Sequence, residues 1–283
     1  MRTAALGRTG IEISRVVFGG IIVSGEEQRE ADRFVAFAVE NGVNYFDVAP
    51  SYGNAEELLG PALEPYREEV YLSCKTVERS AAGARNELER SLKNLHTDHL
   101  DVYQMHAITT REDIDAIFAE DGALRAFIKA KEEGLIRNIG FSAHDEEAAL
   151  AALSRFDFDT VMFPLNWALA LGKNFGPRIA GMCREKGTGL LGMKNISYRK
   201  LRAGEETAHP KSWYKIVYDD REFAKRATKF TLSLGAAAVV PPGNFDPFRL
   251  CVDTIGECED VPLTDEDIRY LRSMLPDESE QIF

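Results

Sequence analysis

A repeating pair of segments, an amphipathic helix followed by a short apolar strand, organises the chain. It is clearest in "ADRFVAFAVENG" before "VNYFDVA", "ALRAFIKAKEEG" before "LIRNIGFSA", "RIAGMCREKG" before "TGLLGMK" and "REFAKRATKFTLSLG" before "AAAVVP". Each helical segment ends at a glycine, which readily adopts the left-handed conformation that terminates helices. In the last helix, an apolar face is formed at helical spacing by Phe223, Ala227, Phe230 and Leu234.

Extending this pattern predicts eight strands that alternate with helices. The strands are predicted at about 16–19, 44–48, 70–74, 100–105, 137–141, 159–163, 189–193 and 237–240, and the helices at about 26–41, 54–64, 80–95, 122–133, 145–154, 174–186 and 219–234. The strands are continuous apolar runs, as expected when both faces of a sheet are covered. Strict alternation implies a parallel sheet, and eight units imply a closed (β/α)8, or TIM, barrel of the α/β class.

Both ends of the chain carry elements outside these eight units. The start, "RTAALGRTGIEISR", has turn residues from Gly7 to Gly10 between two extended pieces, which predicts a β-hairpin across the barrel floor. Near the other end, Thr264 stands three residues before Asp267, a pattern typical of a helix start. No change of composition marks a linker, so we expect residues 1–283 to form a single domain.

The composition narrows the class of protein. The net charge of -12 argues against a protein that binds nucleic acid, because such proteins normally carry a basic stripe. No apolar run approaches the roughly 20 residues that span a bilayer, and the start lacks the apolar segment of a secretory signal. We therefore expect a cytoplasmic protein that binds no membrane. The four cysteines are scattered without close pairs, which favours reduced thiols and gives no support for a metal site.

Four ionisable side chains stand at or just after the ends of three neighbouring predicted strands. They are Asp47, Tyr52 in the loop that follows it, Lys75 and His106. Active sites of barrels lie at the C-terminal ends of the strands, so we expect these side chains to meet. A single strand-end Asp or Lys is more simply explained by a structural ion pair, but the set of four favours catalysis.

Each of the four residue types suits one role in proton transfer to a substrate oxygen. Tyr52 is a poor acid at neutral pH unless a cation such as Lys75 favours its phenolate. Asp47 would keep Lys75 charged and would itself gain the partner that a buried carboxylate needs. His106 could hydrogen-bond the reacting oxygen and polarise it.

The chain resembles the aldo-keto reductases over nearly its whole length. The most specific matches are "FDVAPSYGNAEELLG", "LSCKT", "RSLKNLHTDHLDVYQMH", "IRNIGFSAH" and "VVPPGNFDPFRL". The resemblance implies an NAD(P)H-dependent oxidoreductase that reduces aldehydes or ketones to alcohols. It assigns the catalytic tetrad to Asp47, Tyr52, Lys75 and His106, with Tyr52 as the proton donor. The partner is then a small-molecule carbonyl substrate.

The resemblance also implies a cofactor site, from which this chain departs in places. Ser142 matches the serine that holds the nicotinamide carboxamide, but the usual neighbouring Asn is Ala143. The usual Gln on strand six falls at Met162, with Asn166 as a possible substitute. The stacking Tyr falls at Met193, whose thioether can still pack against a ring.

The last motif bears on the choice between NADPH and NADH. The usual Lys and Ser that grip the 2′-phosphate are Gly243 and Asn244 here, while the later Arg is kept as Arg249. NADPH is favoured because members of the family usually use it, and NADH is possible. Lys194 could supply a phosphate contact, although a solvated lysine is the simpler interpretation. The predicted cofactor set is completed by Gly20 and Ile21, which follow the first barrel strand.

Two polar insertions, at about 107–121 and 195–218, are expected to be long loops at the barrel mouth. Four aromatic residues lie in or beside the predicted mouth loops, namely Trp167, Tyr198, Trp213 and Tyr214. We expect them to wall a pocket for apolar or aromatic carbonyls, with Trp167, Tyr198 and Trp213 as substrate residues. The alternative is that half or more of them pack beneath the second insertion.

Two rival functions remain open at this stage. One is a Schiff-base aldolase that uses Lys75 as nucleophile, which would need that lysine uncharged. The other is a redox sensor or partner-binding subunit that keeps the cofactor site but turns over slowly. No heptad pattern or exposed apolar stripe indicates a stable assembly, so we expect a monomer or a weak oligomer.

Overall fold

Eight parallel strands form a barrel in the computed structural model, which describes all 283 residues. The barrel strands are β3 (Phe18–Gly19), β4 (Tyr45–Asp47), β5 (Tyr71–Thr76), β6 (Leu100–Ile108), β7 (Ile136–Ala143), β8 (Thr160–Pro164), β9 (Gly189–Met193) and β12 (Ala238–Val240). They pair in the order β12-β9-β8-β7-β6-β5-β4-β3. A parallel bridge between Val16 and Val239 brings the first and last strands together, so the barrel is nearly closed. The predicted fold class is confirmed.

Helices follow the strands and cover the outside of the barrel. They are α1 (Gln28–Glu40), α2 (Ala55–Leu63), α3 (Ala81–Asn94), α4 (Arg111–Ile117), α5 (Ala123–Glu132), α6 (Glu146–Arg155), α7 (Trp167–Lys173), α8 (Pro177–Lys186), α9 (Arg221–Ser233), α10 (Phe245–Ile255) and α11 (Asp265–Ser273). The large apolar core lies between these helices and the sheet. None of the helices is both long enough and apolar enough to span a membrane.

The predicted N-terminal hairpin is present as β1 (Thr3–Ala5) and β2 (Glu12–Ser14), which pair antiparallel. Leu6 belongs to the smaller apolar cluster inside the barrel, so the hairpin closes the floor. Gly7 has a φ of +56°, and a Cβ there would lie 2.2 Å from the amide nitrogen of Gly189. The hairpin can therefore approach the start of β9 only because this position is glycine.

Both insertions contain regular structure that the sequence analysis assigned to loops. The first holds α4, which begins with a capping box between Thr110 and Asp113. The second holds a short antiparallel hairpin of β10 (Ser197–Lys200) and β11 (Tyr214–Ile216). The expectation of long loops was wrong where α4, β10 and β11 lie, whereas residues 201–213 between the two strands do form a loop. The Thr-x-x-Asp signal that identified the last helix is also present before α4. α7 and α10 were likewise not predicted.

Candidate active site

A cavity of about 210 Å³ opens at the C-terminal ends of the barrel strands. The four side chains singled out from the sequence all line it, namely Asp47, Tyr52, Lys75 and His106. Asp47 ends β4, while Lys75 and His106 stand near the ends of β5 and β6. Parallel neighbouring strands thus bring residues far apart in sequence to one place. That these residues are catalytic stays a prediction.

Asp47 and Lys75 form an ion pair at the base of the cavity. The side chains are only 3% and 1% exposed, respectively, so the pair is almost completely removed from water. Burial by itself would lower the pKa of Lys75, but the charge of Asp47 and the nearby Tyr52 outweigh it and hold that pKa above its usual value. Lys75 is therefore a permanent ammonium group at neutral pH.

Gln104 holds the other oxygen of Asp47 and was missed by sequence reasoning. Its Nε2 donates to Asp47 Oδ1 at 3.0 Å and to Ser73 Oγ at 2.6 Å. Gln104 lies two residues before His106 on β6, so the alternation of side chains along the strand carries the only signal that could have found it. The carboxylate is thus oriented from two neighbouring strands.

Tyr52 stands in the loop between β4 and α2, with its hydroxyl over the ion pair. Lys75 Nζ donates to the Tyr52 hydroxyl oxygen at 3.3 Å. Burial raises the pKa of Tyr52, and the charge of Lys75 lowers it in part. The effect predicted for Lys75 is therefore opposed by burial, which is the larger of the two. Tyr52 therefore keeps its proton at neutral pH and has a cation next to it.

His106 faces the same loop and is neutral. Its ring lies edge-on to that of Tyr52, with centroids 5.7 Å apart, and its Nδ1 is 3.3 Å from Ser51 Oγ. Burial, together with the charge of Lys75, lowers the pKa of His106 to about 3. Arg79 donates to the His106 carbonyl oxygen at 2.7 Å and fixes the backbone there. A neutral imidazole can donate one hydrogen bond to a substrate oxygen without repelling Lys75.

Five of the predicted cofactor residues line the cavity, namely Ile21, Ser142, Met193, Lys194 and Gly243. Ser142 Oγ accepts a hydrogen bond from the Ala107 amide at 2.9 Å, which leaves its own hydroxyl hydrogen free to donate. A Cβ on Gly243 would lie 2.6 Å from Ile21 Cγ2, so a larger residue would need rearrangement here.

Asn166 does not reach the cavity, contrary to the expectation that it replaces a cofactor-binding Gln. Its amide nitrogen donates to the carbonyl oxygens of Lys194 and Ser197, both at 2.8 Å. Its amide oxygen accepts from the backbone N–H groups of Ala168 and Leu169 in the first turn of α7. Asn166 is fully buried and has no hydrogen-bonding capacity left, so it caps a helix and holds the strand end instead.

Three further predicted cofactor residues lie beside the cavity rather than in its lining. A Cβ on Gly20 would meet Val48, so this glycine packs against the barrel. Asn244 precedes α10, makes no capping hydrogen bond and leaves its buried Oδ1 without a partner. The Arg249 side chain is 60% exposed and lies 3.6 Å from Asp253.

The structure separates the three predicted substrate residues. Trp213 lines the cavity and is 56% exposed. Trp167 is completely buried, with its ring parallel to that of Tyr198 and edge-on to that of Phe223. Neither Trp167 nor Tyr198 lines the cavity, so their prediction as substrate residues is corrected. Trp167 packs beneath the second insertion, as the alternative held, and Tyr198 is the residue of that insertion that covers it.

Lys194 and Lys211 add two cations to the cavity lining, and sequence reasoning missed Lys211. Lys211 Nζ donates to the Ile22 carbonyl oxygen at 2.5 Å and to Glu26 at 2.6 Å. It thereby ties the second insertion to the segment after β3. Lys194 Nζ instead lies 3.3 Å from His144 Nε2. It is nearly buried, so the expectation of a solvated lysine was wrong.

Comparison with known proteins gives one consistent result. Residues 15–226 match the model of the aldo/keto reductase family. YqkF, an uncharacterised oxidoreductase of Bacillus subtilis, is 26% identical over 303 residues, covering 96% of each chain. D-arabinose 1-dehydrogenase of Saccharomyces cerevisiae is 29% identical over 250 residues, covering 77% of this chain and 70% of that protein.

A solved structure has the same fold. The holo form of aldo-keto reductase AKR11C1 from Bacillus halodurans superimposes with a TM-score of 0.74. The match covers 98% of this chain and 99% of that one at 22% sequence identity, so it concerns the fold alone.

Proposed function

Because the chain belongs to the aldo-keto reductase family, we propose that this oxidoreductase reduces small aldehydes or ketones to alcohols with a reduced nicotinamide cofactor. One observation carries the proposal. The Tyr52 hydroxyl accepts from a buried ammonium group, Lys75, at 3.3 Å inside a cavity that His106 also lines. The cavity is thus lined by a proton donor, by a cation that can stabilise the conjugate base of that donor, and by a neutral hydrogen-bond donor.

The bound cofactor supplies a hydride to the carbonyl carbon, and the protein supplies the proton and the orientation. Tyr52 gives its hydroxyl proton to the carbonyl oxygen as negative charge develops there. Lys75 stabilises the phenolate that remains, because the two groups are already in contact before the reaction. Asp47 keeps Lys75 charged throughout.

His106 is proposed to position the substrate oxygen. If Ser51 donates to its Nδ1, the proton of the neutral ring resides on Nε2, which then serves as a donor to the carbonyl oxygen. The same neutral state makes His106 a poor acid at neutral pH, since its pKa is lowered to about 3. The proton therefore comes from Tyr52, and His106 orients and polarises.

The residues present fit a nicotinamide dinucleotide. The free hydroxyl hydrogen of Ser142 suits the carboxamide oxygen, and the thioethers of Met162 and Met193 offer an apolar surface to the ring. The unpaired oxygen of Asn244 suits a ribose hydroxyl, because an acceptor is satisfied by a donor. We propose these four residues, with Ile21 and Gly243 beside them, as the cofactor site.

The choice between NADPH and NADH rests on the start of α10. Arg249 is exposed, and Asp246 lies in the first turn of the helix, where its charge opposes a 2′-phosphate. An exposed ion pair contributes at most about 1 kcal/mol, which corresponds to roughly fivefold in affinity. We therefore expect NADPH to bind less than about fivefold tighter than NADH.

The rival functions receive less support. A Schiff-base aldolase needs an uncharged nucleophile, whereas Lys75 is paired with Asp47 and its pKa is raised. A slow redox sensor would be favoured by the unusual residues Met193 and Gly243, but a complete set of proton-transfer groups argues for turnover.

The test is a fluorescence titration of the protein with NADPH and NADH, followed by oxidation of the bound cofactor with a panel of small aldehydes. We expect aldehyde-dependent oxidation, with kcat reduced at least 100-fold in Tyr52→Phe and the cofactor Kd changed by less than about threefold. Tyr270→Phe on α11, outside the cavity, is the matched control. Cofactor binding with no oxidation would favour the sensor, and normal turnover in Tyr52→Phe would refute the assignment of the proton donor.

A further inference from the structure

Lys194 is the one cation in the cavity lining that forms no ion pair. Lys75 is paired with Asp47, and Lys211 is paired with Glu26. No carboxylate lies within 4.0 Å of Lys194 Nζ, although the residue is only 6% exposed. A buried ammonium group without a counter-charge is costly to maintain, so an approaching anion gains more there than at a solvated lysine.

The surroundings of Lys194 keep it charged but incompletely solvated. Its Nζ lies 5.3 Å from the ring centre of Trp213, 5.4 Å from that of Tyr214 and 5.7 Å from that of Phe283. Aromatic faces attract a cation but do not neutralise it. His144 is uncharged, because burial and the nearby Lys194 lower its pKa to about 3. Burial lowers the pKa of Lys194 to about 8, so the ammonium form still predominates at neutral pH.

The backbone at Lys194 is held in a conformation that a lysine rarely adopts. Its φ is +66°, in the left-handed region, which is strained for a residue with a Cβ. The Lys194 amide donates to the Val240 carbonyl oxygen at 3.1 Å, and Asn166 donates to the Lys194 carbonyl oxygen. These contacts keep the side chain over the cavity.

The order of the strands shows which part of the cavity Lys194 faces. β9 lies between β8 and β12, and α10 follows β12. Lys194 Nζ contacts His144, which directly follows β7, so the side chain crosses the end of β8 in the direction away from α10. It therefore does not face the start of α10, where the 2′-phosphate of NADPH is expected. It faces the strands that carry Ser142 and His106.

We propose that Lys194 binds a carboxylate on the substrate, so that the natural substrates are small aldehyde or keto acids. The proposal rests on the proposed reductase function for its reaction, but the anion site can be tested without turnover. Among the side chains that line the cavity, the charges of Asp47 and Lys75 cancel, the two histidines are neutral, and the charge of Lys211 is paired. The charge of Lys194 is therefore left uncompensated, although the net charge of the whole protein is -12. That local field attracts anions into the cavity.

The catalytic test compares each acid with its neutral methyl ester. Glyoxylate, 4-oxobutanoate and 4-formylbenzoate place the carboxylate at increasing distances from the carbonyl group. We expect at least one acid to exceed its ester in kcat/KM by about 10-fold or more, as a charge-assisted hydrogen bond predicts. Lys194→Met should reduce that acid-to-ester ratio by about 10- to 100-fold, and Lys194→Arg should keep part of it.

Lys211→Met is the matched control, because it removes a lysine from the same lining whose charge is already paired. It should change the acid-to-ester ratio by less than about twofold. If no acid exceeds its ester, or if Lys211→Met lowers the ratio as much as Lys194→Met does, the proposal is overturned. It is also overturned if Lys194→Met weakens NADPH binding and lowers acid and ester activity equally, since Lys194 would then serve the cofactor.

A binding experiment separates failure of this proposal from failure of the reductase function. Benzoate and benzamide are titrated calorimetrically into wild-type protein saturated with NADPH, and then into Lys194→Met. We expect benzoate to bind about 10-fold or more tighter than its neutral analogue only when Lys194 is present. This result without turnover of any aldehyde would reject the reductase and support the anion site. If the wild-type protein binds benzoate and benzamide with equal affinity, the proposal of an anion site is overturned, whatever the enzymatic activity. That comparison needs no variant.

Discussion

Removing the charge of Asp47 should destabilise the protein more than a typical substitution does. Asp47→Asn keeps the size of the side chain but leaves the Lys75 ammonium without its counter-charge in a site that is 1% exposed. Breaking a buried ion pair from one side costs about 3–5 kcal/mol. With roughly 2.1 cal/mol/K of unfolding entropy per residue over 283 residues, this corresponds to a fall in Tm of about 5–8 °C.

The assay is thermal unfolding followed by circular dichroism, with three comparison variants. Lys75→Met alone should also destabilise, whereas Asp47→Asn combined with Lys75→Met should recover most of the loss, because neither charge remains. Asp253→Asn, which breaks the exposed contact with Arg249, should lower Tm by less than about 2 °C. If Asp47→Asn costs no more than Asp253→Asn, or if the double variant is worse than both single ones, the argument from burial is refuted.

Three further predictions concern the floor, the imidazole and the connection across the mouth. In a urea titration, Gly7→Ala should lower the free energy of unfolding by more than about 3 kcal/mol, because φ is +56° and the new Cβ would lie 2.2 Å from a backbone nitrogen. Gly10→Ala, with a φ of +77° and open space around the new Cβ, should lower it by only about 1 kcal/mol. His106 has a pKa of about 3 when folded and about 6.5 when unfolded, so the unfolded chain binds more protons between these values. The free energy of unfolding should therefore fall as the pH is lowered through that range. In His106→Gln the slope of the free energy of unfolding against pH should decrease by up to about 1.4 kcal/mol per pH unit, and an unchanged slope would contradict burial of the ring. Lys211→Met and Glu26→Gln each break the link between the second insertion and the segment after β3. Both variants should therefore speed NADPH release, measured by stopped-flow fluorescence, by a similar factor. A double variant that releases NADPH no faster than either single variant would confirm that the two residues act as a pair.

The barrel itself could be predicted because its cause is local and repeats eight times. Apolar runs too short for a bilayer, each preceded by a helix that ends at a glycine, allow few architectures other than a parallel sheet covered on both faces. Asp47, Lys75 and His106 were found for the same reason. Once the strands are parallel, residues at their C-terminal ends must share one rim, whatever lies between them in sequence.

What the sequence left open was the contact partners of each polar or aromatic side chain. Asn166 looked like a cofactor ligand, but carbonyl oxygens about thirty residues away, at Lys194 and Ser197, use both of its amide hydrogens. Trp167 was predicted in the mouth but is buried. Helix propensity and motif spacing contain no information about such long-range packing.

The sequence by itself thus determined the fold class, the family and the four side chains at the rim, since periodicity and chain order are properties of the sequence. Only the tertiary structure decided which of these groups are paired. Lys75, Lys194 and Lys211 are chemically the same residue, and each lies beside the same cavity. One meets a buried aspartate, one meets a glutamate after β3, and one meets only aromatic rings and a neutral imidazole. Whether each charge is compensated follows from those neighbours, and neighbours distant in sequence are set by the packing of the whole barrel.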